Sequence, residues 1–385
     1  MRKLTVFEIG LLRHLVTGED TQMDTMSVDW EVVLASARSH RLDPLLHLGA
    51  KRSAVPVPER VRGRLERVFH MELARNVVRL HHVEELDRLA MRSGRAISLL
   101  KGAAFVTALY ESPGARAMAD VDVLVRHDDF AHWTSEVEGL GFRAHESSDH
   151  AVCFRHARTG VFLELHRDLT SEARFLGLDA SLLLDRASKA PGFLALATLS
   201  PEDHLLHLCL HASFQHGFRQ PAINAWDARL LLQGAAFDPT IFIGRARAPR
   251  LLPWVFGGLK LSQLAFPDPL LDALVDELAP LAPQRLRRKL ATLGPADVFT
   301  RQANGATRPP IRRLLWIGDG ATAWTLLFEV LRPRAYEKSS HLGSTRRALQ
   351  LIWNHYIRVI PLALMKQAQT LWRHTPASPG EVRDV

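Results

Sequence analysis

An α+β fold is what the sequence predicts: a small mixed-sheet core set between two helical regions. Three observations predict it. Apolar residues recur at spacings of three and four through residues 1–95. Residues 96–168 then alternate short β-branched runs with helical patterns, in the order strand, helix, strand, helix, strand, strand, which describes a compact α/β or α+β unit. From about residue 170 onward the helical period returns. The expected division is an N-terminal helical region over 1–95, an α/β core over 96–190 and a C-terminal helical domain over 191–385.

Element by element, WEVVLASARSHRLDPLLHLGA carries the amphipathic period, and Pro56 and Pro58 break it. A second helical stretch runs from about Glu59 to Arg92 and stops at Gly94. AISLL is a short apolar run suited to a buried strand, ended by Lys101-Gly102. AAFVTALYES reads as a helix closed by Pro113-Gly114, and DVDVLV as a strand. HDDFAHWTSEVEGLGF is helical, with Asp128 or Asp129 as N-cap and Gly141 at its end. HAVCFRH and GVFLELH are paired strands with ARTG as the turn. Ser200-Pro201 caps the helix SPEDHLLHLCLHASF. Further helices are expected around 225–234, 270–294, 321–331 and 344–373, with a loop near 301–313.

The chain has 385 residues and a formal charge of +8, most of the cations being Arg. A polyanionic partner and a solvated basic surface both produce such a balance. No platform of interleaved aromatic and basic residues is visible, so a nucleic-acid-binding reading ranks last. Cys153 and Cys209 sit in apolar contexts without metal-type pairing, which fits a reducing, cytoplasmic setting. The N-terminus reads as a helix, not a signal peptide, and no window approaches the apolar length of a membrane span. The tail STRRALQLIWNHYIRVIPLALMKQAQTLWRH could rest on an anionic membrane surface. Pro361 interrupts it, and a core-packing helix pair has the same composition, so core packing is the preferred reading. GxxxxGK[ST], GxGxxG and GxSxG are all absent, which removes the P-loop, dinucleotide-fold and α/β-hydrolase readings.

The chemistry is concentrated in the acids of two strands. Side chains alternate along a strand, so Asp120, Asp122 and Leu124 share one face while Val121, Val123 and Val125 share the other. In GVFLELH, Glu164 shares a face with Phe162 and His166. If the two strands pair with matched faces, three carboxylates meet on one surface, expected on the solvent side of the sheet. Such carboxylates repel, and without a cation at least one has its pKa raised. A hard divalent cation removes the conflict, and two can clamp the attacking and leaving oxygens of a phosphoryl transfer. His204, His207 and His211 share a helical face; with no HExxH glutamate or Cys pair nearby, they read as a polar stripe packed against the core.

SLLKGAA at 98–104, Tyr110, Arg116 with Asp120-Val-Asp122-Val-Leu-Val, Gly141-Phe142 and Leu163-Glu164-Leu165-His166 together give the chain a marked resemblance. It resembles the uncharacterised nucleotidyltransferase family of the DNA-polymerase-β-like superfamily over roughly residues 28–235. The helix at Trp30, SPEDHLLHLCLH and Trp226-Asp227 also look like that family. The resemblance implies a minimal polymerase-β-like mixed-sheet core and a two-metal transfer of NMP from an NTP to an acceptor hydroxyl. Asp120 and Asp122 would hold both Mg²⁺ ions (or Mn²⁺), and Glu164 would bind the catalytic ion and draw the acceptor's proton. Lys101, Gly102, Arg116 and His166 would face the nucleotide. The superfamily holds the triphosphate with Gly-Ser or Gly-Gly; here Lys101-Gly102 stands instead, with Gly102 letting the backbone approach phosphate and Arg116 as a phosphate clamp. His211 and Asp227 would help line the cleft. The acceptor, whether small molecule, sugar, RNA end or protein side chain, is not encoded in these motifs. The Lys-Gly departure supports a second expectation, a catalytically silent nucleotide- or partner-binding regulatory protein on the same fold.

Overall fold

The computed structural model describes residues 2–18, 25, 27–148, 150–170, 173–218 and 220–300. The expected loop near 301–313, the helices around 321–331 and 344–373, and the basic tail all lie outside these residues.

Helices form first along the chain, each for a local reason. α1 (Val6–Thr17) opens on a capping box in which the Thr5 hydroxyl accepts from the Glu8 N–H while the Glu8 carboxylate accepts from the Thr5 N–H. It ends at Gly18, in the left-handed region at φ 75°. α2 (Trp30–Ser39) is capped by Asp29, and α3 (Asp43–Arg52) follows after a sharp turn. α4 (Glu59–Ser93) is 35 residues long, starts directly after Pro58 and ends on Gly94 at φ 65°.

The turn between α2 and α3 is anchored by His40, which is fully buried. Its Nε2–H donates to the Phe299 carbonyl at 2.9 Å, and its Nδ1 accepts from the Ala222 N–H at 3.1 Å. Acceptance at Nδ1 requires a neutral ring. Burial pushes the His40 pKa down to about 4. The next residue, Arg41, takes a left-handed backbone at φ 59°, uncommon for a side chain of its size.

The sheet follows. β1 (Ile97–Leu100) runs into α5 (Lys101–Ala108); then come β2 (Asp120–Val125), α6 (Phe130–Gly139), β3 (Phe142–Ser147), β4 (Ala151–His156) and β5 (Phe162–His166). Two short helices, α7 (Ala173–Leu176) and α8 (Ala180–Asp185), precede β6 (Ser188–Lys189) and β7 (Ala197–Thr198). The strand order is β3-β4-β5-β2-β1-β7-β6. β2 pairs with β5 and β1 with β7 in parallel; the other pairs are antiparallel. The α+β class expected from the sequence is the class observed.

The β4–β5 hairpin falls where expected, while β3, β6 and β7 were not anticipated. β3, FRAHES, is exposed at five of its six positions, so it carries no apolar alternation. α6 begins only at Phe130, after a 3₁₀ turn over His127–Asp129; Asp129 holds the N-cap position, but its carboxylate pairs with Arg95 and makes no capping bond.

The acidic face of β2 is not open to solvent, which corrects the expectation from alternation. Beyond Asp122 that face closes in a buried cluster of Leu100, Leu124, Leu169, Ala180, Leu183, Leu184 and Leu199. Every residue of β2 after Asp120 is buried, so the strand is covered on both sides.

The remaining described chain is helical: α9 (Pro201–Leu210), capped by Ser200 with Pro201 at its first position and running into a π-helical turn over His211–Gln215, then α10 (Ile223–Gln233), α11 (Pro239–Ala246), α12 (Leu252–Ala265), α13 (Pro269–Leu278), α14 (Gln284–Ala291) and α15 (Pro295–Thr300). α9 and α12 touch so closely that a Cβ on Gly258 would lie 2.4 Å from the Cys209 Cα. No helix among the described residues is long and apolar enough to cross a membrane.

His40 supplies a test of this packing. Its folded pKa of about 4 lies below the ordinary 6.5, so between those values the unfolded chain binds the extra proton. Stability from this group is complete above pH 6.5 and is lost as pH falls toward 4, by about 3 kcal/mol across the window. Denaturant titrations at pH 7 and pH 4 should show that loss in the wild type reduced by about this amount in His40→Asn. Identical pH dependence in both proteins would contradict the assignment.

Candidate active site

The site is built by strand register. Asp122 stands directly opposite Glu164 in the parallel β2–β5 pair, and Leu124 opposite His166. On the other side, Asp122 is opposite Leu100, the last residue of β1. The matched-face pairing therefore occurs, and it brings Asp122, Glu164 and His166 together. One ligating atom from each of the three lies within 4.8 Å of the others.

Lys101, immediately after β1, completes the group. Its backbone is left-handed at φ 42°, a strained conformation of the kind that persists where surrounding structure enforces it. Its Nζ donates to Asp122 Oδ1 at 3.0 Å. His166 Nε2 sits 3.1 Å from the same oxygen and 3.2 Å from Glu164 Oε2. Asp122 and His166 are almost wholly buried, whereas the Glu164 side chain keeps 35% of its surface exposed. Glu164 is thus the more open carboxylate of the opposed pair.

The electrostatics follow from these contacts. Burial alone would favour neutral Asp122, but Lys101 and the His166 hydrogen bond outweigh it and hold the carboxyl far below the usual range. Burial likewise opposes charge on His166, and its bonds to Asp122 and Glu164 raise its pKa nonetheless. Asp120 goes the other way. Burial and the nearby Asp122 charge push it up to about 6. Two acids one residue apart are driven in opposite directions, a common mark of functional sites.

α9 and its π-helical extension bring a histidine wall to this group. His207 is buried, and neither of its ring nitrogens has a hydrogen-bond partner among the described residues. Burial holds His207 and His211 well below the ordinary imidazole pKa, and the positive charge of Lys101 adds to the effect for both. His211 Nε2 lies 3.0 Å from His216 Nε2. π-turns inside helices are often found at functional sites. Here the turn ends the row of histidines that the sequence shows at spacings of three and four.

Arg116 and Asp227 are joined to each other. Arg116 Nε donates to Asp227 Oδ1 at 2.9 Å and Nη2 to Oδ2 at 2.6 Å, while the Tyr110 hydroxyl donates to Asp227 Oδ1 at 2.7 Å. Both members of the ion pair are buried. The Arg116 guanidinium is therefore engaged by Asp227. A Cβ on Gly102 would lie 2.7 Å from Arg116 Nη1 and 3.1 Å from Met118. The space that this glycine leaves is filled by protein side chains. Sequence reasoning missed the triad, although Tyr110, Arg116 and Asp227 all lie in segments that it singled out.

With the geometry in place, comparison with known proteins gives the class. The family model of the uncharacterised nucleotidyltransferases matches residues 26–267. The chain belongs to that family and is a nucleotidyltransferase by membership. No curated protein matches it. Among solved structures, the antibiotic-resistance factor ANT(2'')-Ia aligns in a solution structure at 15% identity, over 41% of this chain and 84% of that one, with a TM-score of 0.33. A crystal structure of ANT(2'')-Ia in complex with adenylyl-2''-tobramycin aligns at 18% identity, over 43% and 93%, with a TM-score of 0.34. An antigenic nucleotidyltransferase-like protein from Paracoccidioides brasiliensis aligns at 17% identity, over 58% and 97%, with a TM-score of 0.32. At these scores the likeness bears on neither substrate nor mechanism.

Removing one member of the buried triad tests its structural role. Asp227→Ala leaves Arg116 charged and unpaired in the interior, and such losses cost about 3–5 kcal/mol. Urea denaturation should show that drop, and the double change Arg116→Met/Asp227→Leu should recover most of it. A cost below about 1 kcal/mol for Asp227→Ala would mean that the pair is solvated.

Proposed function

We propose that the chain transfers a nucleoside monophosphate from an NTP to an acceptor hydroxyl, with Asp120, Asp122 and Glu164 as the catalytic carboxylates. The observation that carries this is the register of β2 and β5, which sets Asp122 against Glu164 with His166 beside both. The donor set suits divalent cations. Asp122 and Glu164 offer hard oxygens, Asp120 lies two residues from Asp122 on the same face, and their crowding calls for positive charge. Bound Mg²⁺ or Mn²⁺ would neutralise charge at the transferring phosphoryl group.

The chain's own groups do the rest. Lys101 and His166 both meet Asp122 Oδ1, and the Lys101 ammonium opposes its charge. Glu164, the more exposed of the opposed acids, accepts the acceptor's hydroxyl proton. The hydroxyl oxygen then bonds to the α-phosphorus, the α–β phosphoanhydride bond breaks, and pyrophosphate leaves. Lys101, held by Asp122, would add positive charge near the phosphates. Positioning and charge placement supply most of the acceleration in such reactions. Arg116 serves this reading as a structural cation, since Asp227 already holds it.

One observation favours a second reading. Lys101 and His166 both lie within hydrogen-bond distance of Asp122 Oδ1, an oxygen that a cation would need. A protein that keeps this internal pairing would bind nucleotide without turnover.

The two readings separate in one assay. With α-labelled NTPs, Mg²⁺ and a panel of acceptors, the wild type should release pyrophosphate and label an acceptor. Glu164→Gln should lower that rate by about 10²-fold or more, the usual contribution of a positioned base. Nucleotide binding without release on every acceptor would favour the second reading, and an unchanged rate in Glu164→Gln would remove Glu164 from the mechanism.

A further inference from the structure

A cavity of about 420 Å³ opens beside the site, on the side of the N-terminal helices. Its floor is the segment Ala117–Ala119, which runs directly into Asp120. Its walls come from the α2–α3 turn and the middle of α4. Three arginines line it, Arg38, Arg41 and Arg75, with the acids Asp43 and Glu72. Arg75 is paired with Glu72 at 2.6 Å. Asp43 is buried. Arg38 and Arg41 are exposed and form neither an ion pair nor a side-chain hydrogen bond among the described residues. The cavity thus holds two cations without a direct partner.

Arg41 is held there at a cost. Its left-handed backbone is imposed by the turn that His40 anchors through Phe299 and Ala222. Residues kept in such conformations cluster at ligand clamps. The charges that the sequence assigned to phosphate are meanwhile committed elsewhere: Lys101 to Asp122 and Arg116 to Asp227. Met118, which lines the cavity, also fills the space in front of Gly102. The cavity and the Lys101-Gly102 corner are therefore two sides of one side chain.

We infer that this arginine-lined cavity binds the polyphosphate tail of the nucleotide, with Arg38 and Arg41 as its phosphate ligands. The assignment rests on the transferase reading above. Guanidinium groups match phosphate oxygens in a bidentate fork. The cavity size is ordinary for a small-ligand site, and its floor leads to the strand where the α-phosphate would react.

Calorimetric titration of the full chain tests it, with tripolyphosphate as one probe and a non-hydrolysable α,β-methylene NTP with Mg²⁺ as the other. The variants are Arg38→Gln/Arg41→Asn, in which Asn tolerates the left-handed backbone, and Asp122→Asn. Thermal unfolding confirms that the arginine variant folds. The wild type should bind both probes, and the arginine variant should bind each about tenfold or more weakly. Equal affinity of wild type and arginine variant for the NTP analogue overturns the assignment. So does a loss confined to tripolyphosphate, which would give the cavity to a phosphorylated acceptor, and so does a wild type that binds neither probe. Failure of the transferase reading has a separate signature: analogue binding that weakens in the arginine variant and is unchanged in Asp122→Asn.

Discussion

Two carboxylates facing one another across neighbouring strands repel, and the candidate site is organised around that constraint. Parallel pairing of β2 with β5 fixes Asp122 opposite Glu164, and a slip of one residue between the strands would put the two acids on opposite faces. The valines and leucines of the opposite face are buried and hold the register. The repulsion is met locally. β1 ends one residue before Lys101, and the strained turn there puts an ammonium against Asp122. His166, two residues beyond Glu164 and on the same face, bridges both acids. Lys101 and His166 thus place hydrogen-bond donors directly against Asp122.

The surroundings keep this group in a low-dielectric setting. The histidine wall of α9 remains neutral, so it adds no charge to the site. Tyr110, Arg116 and Asp227 tie the loop before β2 to α10, and Asn76 of α4 donates to the Pro113 and Arg116 carbonyls at 2.6 and 2.7 Å. The loop that delivers Asp120 is therefore held by one helix from before the sheet and one from after it. Arg38 lies on α2 and Arg41 in the turn that follows it, so the proposed phosphate ligands come from the N-terminal helical region.

Period-2 alternation put Asp120 with Asp122 on one face of β2 and Glu164 with His166 on one face of β5, and the pairing of the two strands brought those faces together. It could not reveal that the acidic face is itself covered. That depends on α8 and the leucines around Leu124, which no local pattern links to β2. Polar β3 and the two-residue strands β6 and β7 lack the apolar signal from which strands are read. The pairing of Arg116 with Asp227 spans more than a hundred residues of chain, so a lone arginine before an acidic strand looked like a free clamp. Arg41 was invisible for another reason: its position follows from a left-handed turn fixed by His40, Ala222 and Phe299, three residues far apart in sequence.

The most direct measurement of the central claim is Mn²⁺ binding followed by electron paramagnetic resonance, with and without a non-hydrolysable NTP, for wild type and Asp122→Asn. If the opposed carboxylates are the metal–nucleotide site, the wild type should bind Mn²⁺ more tightly in the presence of nucleotide. Asp122→Asn should lose that binding by about tenfold or more, as removal of a charged ligand requires. Equal Mn²⁺ binding by both proteins would contradict the account and leave Asp122, Lys101 and His166 as a buried structural ion cluster.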